Sequence, residues 1–201
     1  MLADTMDVLD GDYLMTDSEW DELVWVWGQS DVPRGCRVEI IEGLVTVTPY
    51  SAQAHHGTIE RLHRRLYEGL PEDWGVYQRL ALAVPPRLGL YVPDAAVVPK
   101  DALLMTDPGL VDAGRAELVV EVTSRATARH DRVNKPAAYA SAGIPLYLLV
   151  DRWAPEGPTA TLYGEPRGDV YRPLAIAKFG ELLTIPAPFD LVIDTGEFPE
   201  S

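Results

Sequence analysis

ELVVEVTSRATARHDRVNK, residues Glu117 to Lys135, is the stretch whose reading decides the fold. From Glu117 to Thr123 it is an almost continuous apolar run, as expected of a strand covered on both faces. One ionisable side chain, Glu121, stands inside that run. A carboxylate there is costly unless it is paired or binds a metal, which makes Glu121 the first candidate functional residue. After Thr123 the pattern turns polar and partly basic. Asp131 to Ala142 then reads as a helix stopped by Gly143 and Pro145. Pro136 is comfortable only in a first helical turn, which moves the regular start toward Lys135. Asp131, Lys135 and Tyr139 recur at four-residue spacing and share one face. Leu146 to Asp151 (LYLLVD) is a second buried strand, so strand, helix and strand follow as in a right-handed crossover between parallel strands.

Toward the amino terminus, YVPDAAVV presents a second carboxylate, Asp94, just after Pro93, whose missing N–H places it at an edge, a bulge or a strand start. Two acids from neighbouring strands are what a divalent metal needs. Val76 to Val84 reads as one strand stopped by Pro85-Pro86, and Leu90 to Pro99 contains the next. Between them and the central strand, Lys100 to Gly114 has loop or short-helix character suited to a flap. Ile59, Leu62, Leu66 and Leu70 recur at helical spacing in a segment ending near Gly69, with His55 and His56 at its start. Adjacent histidines face different directions on a helix, so they do not form a chelating pair. Arg37 to Thr48 is a hairpin turning at Glu42-Gly43. Its first strand carries Glu39, which either lines a site or points to solvent.

Thr16-Asp17-Ser18-Glu19 has capping-box spacing ahead of WDELVWVW, a short helix ended by Gly28 in which Trp20, Trp25 and Trp27 are packing residues. Met1 to Asp12 has no periodicity and reads as a loose tail. Beyond Trp153, short strand-like runs divided by proline and glycine form an added antiparallel hairpin or edge. No repeat or low-complexity linker interrupts residues 1–201, which are read as a single domain.

At 201 residues the chain can bury roughly 70% of its unfolded surface. No apolar run approaches membrane-spanning length. The amino terminus is acidic where a secretory signal is basic. A single cysteine, Cys36, excludes an internal disulfide and a cysteine-rich zinc site, and these features together fit the cytoplasm. A net charge of −14 argues against tight non-specific binding to nucleic acid, without excluding catalysis on it. Arg115 to Lys135 runs against that sign, with five basic residues to three acids.

These pieces carry a family resemblance. Pro93-Asp94, with Glu121 following 27 positions on, resembles the PD-(D/E)XK nuclease superfamily. VEIIEG at Val38 to Gly43, the His55 helix start, PDAAVV at Pro93 to Val98 and EVTS at Glu121 to Ser124 are together similar to its Uma-type family of restriction endonuclease-like proteins. Thr127, Asp131, Lys135, Tyr139, Gly143 and the strand to Asp151 continue the match, which spans residues 14–195. The resemblance implies an α/β fold with a restriction-endonuclease-like mixed central sheet flanked by helices, preceded by a helix and a hairpin. It implies an Mg²⁺- or Mn²⁺-dependent endonuclease acting on nucleic acid, DNA by preference, with catalytic residues Glu39, Asp94, Glu121 and Lys135. The metal would be held by Asp94, Glu121, the carbonyl of Val122 or Thr123, and Glu39. His55, Ser124, Thr127, Asp131 and Tyr139 would support them. One position departs from the pattern: Thr123 stands where the superfamily lysine is expected, leaving Lys135 as the candidate supplied from the helix. Two other readings remain open, a degenerate nuclease-like module that binds DNA or a protein, and a two-carboxylate hydrolase of a small substrate. Exposed faces among the five tryptophans would fit a homodimer.

Overall fold

The computed structural model describes residues 18–49, 53–104 and 109–199. The Met1 to Asp12 tail and the Thr16-Asp17 part of the expected capping box lie outside the described residues. Helix α1 (Glu19–Gln29) is capped by Ser18, whose hydroxyl oxygen accepts the Asp21 N–H at 3.2 Å. Gly28 does not end it. The helix continues one residue further, to Gln29, with Gly28 exposed inside it at a cost of about 1 kcal/mol relative to alanine. Trp20 and Trp27 pack on the sheet below, with Trp27 Nε1 donating to the Val38 carbonyl at 2.9 Å, whereas Trp25 keeps an exposed face.

Strands β1 (Cys36–Ile41) and β2 (Leu44–Pro49) form the expected hairpin, and Glu42 and Gly43 take the two positive φ angles, +50° and +79°, of a tight turn. Helix α2 (Gln53–Glu68) follows. The next two predicted strands are both divided. Val76 to Val84 splits into β3 (Trp74–Tyr77) and β4 (Leu82–Val84), and Leu90 to Pro99 into β5 (Gly89–Tyr91) and β6 (Ala95–Pro99). β4 and β5 lie in one sheet and β3 and β6 in another, so this long hairpin bends between sheets at its middle. Arg79 sits at the bend with φ +59°, its N–H bonded to the Pro93 carbonyl. Pro93 therefore precedes the start of a strand, where it lacks nothing the ladder requires.

Lys100 to Gly114 is not a flap in its described parts. Ala102, Val111 and Ala113 are buried, and β7 (Val111–Asp112) pairs in parallel with β4. The central strand β8 (Leu118–Val122) runs antiparallel to β6 and parallel to β9 (Leu146–Asp151), as a crossover through a helix requires. That connection begins with a π turn at His130–Asn134 and becomes helix α3 (Lys135–Ser141), with Pro136 in its first turn. β10 (Thr159–Arg167) and β11 (Val170–Lys178) extend the sheet from β9 as the expected antiparallel hairpin. β12 (Leu182–Ile185) and β13 (Leu191–Asp194) form a separate pair.

The larger sheet has the order β11-β10-β9-β8-β6-β3, and the other β2-β1-β5-β4-β7. Alternation along β8 assigns its two faces. Leu118, Val120 and Val122 pack with Ile59, Leu62 and Leu66 of α2, under the β12–β13 pair. Val119 faces the opposite way, into a second core with Tyr91, Tyr139 and Tyr147. Glu121, two residues on, shares that side. Among the described residues no helix is long and apolar enough to cross a membrane.

Candidate active site

Glu121 therefore projects from the middle of the larger sheet toward α3, and it is fully buried. Its Oε1 accepts hydrogen bonds from Lys135 Nζ and from the Tyr139 hydroxyl, both at 2.9 Å, while Oε2 has no partner. The four-residue spacing of Asp131, Lys135 and Tyr139 sets all three on the helix face above β8. Lys135 Nζ lies 2.9 Å from Glu121, 3.1 Å from Glu39 and 3.3 Å from Asp131, with no solvent exposure. Asp131 is buried too, and neither of its oxygens accepts a hydrogen bond. The lysine is thus an internal cation among three carboxylates rather than a member of a surface ion pair.

Asp94 arrives from the sheet bend. The Ala95–Val120 pairing of β6 with β8, carried one step on, sets Asp94 opposite Glu121. Its Oδ2 accepts the Val122 N–H at 2.8 Å, and its Oδ1 meets His55 Nε2 at 3.1 Å and Arg37 Nη1 at 3.3 Å. Glu39, on β1, is buried rather than turned to solvent. Its Oε1 accepts the Val92 N–H at 2.9 Å and its Oε2 faces Arg37 Nε at 3.3 Å. Arg37 joins Glu39 to Asp94. Sequence reading missed it, although its i, i+2 spacing from Glu39 on one strand face was the available signal.

The charges of the site follow from burial and pairing. Burial opposes ionisation of Asp94, but His55, Arg37 and the Val122 N–H outweigh it and hold its pKa below the ordinary value. Glu121 goes the other way. Burial pushes it up to about 8 against the pull of Lys135, with Asp131 and Asp94 adding repulsion. Asp131 is also raised, mainly by burial. Burial disfavours the charge on Lys135, yet Glu121, Glu39 and Asp131 more than compensate, so it stays protonated.

Ser124 and Thr127 bond to each other, the Ser124 N–H donating to Thr127 Oγ1 and the Thr127 N–H to Ser124 Oγ, which fixes the turn after β8. Thr123 bonds to the neighbouring strand. Its hydroxyl donates to Asp151 Oδ1 at 3.1 Å and accepts the Arg152 N–H at 3.1 Å. Arg132 completes that group with two bonds to Asp151, at 2.7 and 2.9 Å. A cavity of about 80 Å³ opens onto Asp94, lined among others by Arg37, His55, His56, Gln78 and Arg79. Among the described residues no three His, Cys, Asp or Glu side chains converge into a metal-binding group.

Comparison with known proteins follows the same outline. No curated protein matches the chain. Among solved structures, the chain resembles one described as "a putative nuclease belonging to DUF820" from Anabaena variabilis ATCC 29413. The TM-score is 0.65 at 14% identity, covering 89% of this chain and 96% of that one. At that identity the likeness shows the fold, a restriction-endonuclease-like α/β arrangement with a mixed sheet. The family model Uma2, described as "Putative restriction endonuclease", matches residues 26–196. The chain belongs to the Uma2 family.

Proposed function

We propose that this chain is a divalent-metal-dependent endonuclease that hydrolyses phosphodiester bonds, of DNA by preference, at the cluster of Asp94, Glu121, Glu39 and Lys135. One observation carries the reading: Asp94 and Glu121 stand opposite each other on adjacent strands with Glu121 Oε2 unpartnered, beside a buried lysine. Glu39, Asp94, Glu121 and Asp131 surround only two permanent cations, Arg37 and Lys135, so when ionised they leave two negative charges uncompensated. A divalent ion offsets that excess. Magnesium takes one or two carboxylates and otherwise keeps water. Asp94, Glu121 and the Val122 carbonyl would hold it, with Glu39 beside them. When bound, the metal acidifies a water and offsets charge on the phosphate.

The protein's own groups do the positioning. Lys135 and Tyr139 fix the Glu121 carboxylate, and the Val92 N–H and Arg37 fix Glu39. The cavity over Asp94 offers the Arg37 guanidinium and the imidazoles of His55 and His56 as hydrogen-bonding groups to an approaching phosphate. A second reading, a degenerate module that binds without cutting, is favoured by the engagement of Lys135 with three carboxylates, which leaves it no free approach to a phosphate. Calorimetric titration with Mn²⁺ separates the two. The nuclease reading expects binding that Asp94→Ala and Glu121→Ala each abolish; absence of binding to the wild-type chain favours the degenerate module.

A further inference from the structure

Beyond the acid cluster, the carboxyl ends of β8 and β9 carry a second group of side chains. Trp153 is 41% exposed, and the Arg125 guanidinium lies 4.4 Å from its ring centroid. The Trp153 backbone is clamped: its N–H donates to Asp151 Oδ1 at 3.0 Å, and its carbonyl accepts from Arg132 Nη2 at 2.7 Å. The indole itself takes no part in that network. It is a rigidly mounted aromatic ring left on the surface.

Trp153 also lines a groove of about 570 Å³ with Arg152, Pro158, Phe179, Phe198 and Pro199. Arg152 enters it with its charge uncompensated. Its Nη1 donates to Thr58 Oγ1 at 3.3 Å and its Nη2 to the Pro199 carbonyl at 2.7 Å, and its guanidinium lies 5.7 Å from the Phe179 ring. Among the described residues Arg125, Arg129 and Arg152 make no ion pair, whereas Arg132 and Arg37 do. Two contacts connect the groove to the elements that carry the acid cluster. Arg152 N–H bonds to Thr123, two residues from Glu121, and Thr58 lies one helical turn from His55.

From this geometry we infer that the Trp153 groove binds an unpaired nucleotide of the substrate strand, its base stacked on Trp153 and its phosphate held by Arg152 with Arg125. An aromatic ring flanked by arginines is the arrangement that holds single-stranded nucleic acid with little regard to sequence. Unpaired arginines on a chain of charge −14 mark where a polyanion meets least repulsion. The inference rests on the nucleic-acid reading of the neighbouring site and adds to it the form of substrate, a strand with at least one unpaired base beside the cleaved bond.

The test is fluorescence anisotropy of a labelled twelve-residue oligothymidylate and of a duplex of the same length. It is run in EDTA on the full chain, with oligonucleotide integrity checked on a gel. The wild type is expected to bind the single strand more tightly than the duplex. Trp153→Ala should weaken single-strand binding by about tenfold, the scale of one lost stacking contact, and Trp153→Phe should restore most of it. Trp153→Ala leaves both backbone hydrogen bonds in place, and an unchanged circular dichroism melt verifies the fold. Wild-type affinity in Trp153→Ala, or no single-strand binding by the wild type, overturns the inference. The outcome is separable from the nuclease reading. Trp153-dependent binding without cleavage removes the nuclease and leaves the groove, whereas cleavage with unaltered binding in Trp153→Ala removes the groove alone.

Discussion

Replacing Lys135 with methionine removes the one ammonium shared by Glu121, Glu39 and Asp131, at 2.9, 3.1 and 3.3 Å, while keeping nearly the same buried volume. The three acids are not affected alike. Glu39 retains Arg37 and the Val92 N–H, and Glu121 retains the Tyr139 hydroxyl, but Asp131 loses its ion-pair partner. Removing one partner of a buried ion pair costs about 3–5 kcal/mol, because the remaining charge stays desolvated without compensation. That is the loss expected for Lys135→Met near neutral pH, measured by urea denaturation in EDTA. Its pH dependence identifies the cause. Without the lysine, Glu121 and Asp131 have pKa values still further above those of the unfolded chain, so the folded variant holds protons that the unfolded chain releases. Stability is then lost as pH rises and regained as it falls. The gap to wild type should widen as pH rises through the wild-type pKa values of these groups, for Glu121 about 8, and be smallest in acid. A variant within 1 kcal/mol of wild type at pH 8, or a gap that widens in acid, refutes the buried-cation account.

Other outcomes follow from the same geometry. In the wild type, the Glu121 carboxyl is raised from 4.5 to about 8, so between those values the folded chain keeps a proton that the unfolded chain has lost. This group alone lowers stability by about 1.4 kcal/mol per pH unit as pH rises through that window. Glu121→Gln should remove that slope, as paired urea titrations at pH 5 and pH 8 would show. Thr123→Lys, which places a lysine at the superfamily position, should destabilise by about 1–3 kcal/mol and bring no gain in cleavage rate, because Thr123 is buried and bonded to Asp151 and Arg152. Tyr139→Phe should cost about 0.5–1.5 kcal/mol near neutral pH, where the Glu121 carboxyl holds its proton, read from the same denaturation curves.

Periodicity made the central strand, the Glu42-Gly43 hairpin, α2 and the crossover to β9 legible, because each is a continuous run with its own stop signal. It could not show that Val76 to Val84 and Leu90 to Pro99 each change sheets. A strand pattern records which side is buried, not which partner lies beside it, and Arg79 takes its positive φ without a glycine to announce the bend. Within the site, the burial of Glu121 and the shared face of Asp131, Lys135 and Tyr139 followed from spacing along one element. The Arg37–Asp94 pair, the Thr123–Asp151–Arg132 group and the Arg125–Trp153 contact did not. Each joins segments far apart in sequence, and no local pattern encodes such a meeting.

The central claim, hydrolysis of phosphodiester bonds at the Asp94–Glu121 cluster, is tested most directly by incubating the purified chain with single-stranded and duplex DNA and RNA in Mg²⁺, in Mn²⁺ and in EDTA. Asp94→Ala and Glu121→Ala are prepared in parallel. The account predicts cleavage by the wild type with either metal, none in EDTA, and loss of cleavage in both variants. Absence of cleavage across the whole panel, or cleavage undiminished in both variants, would contradict it.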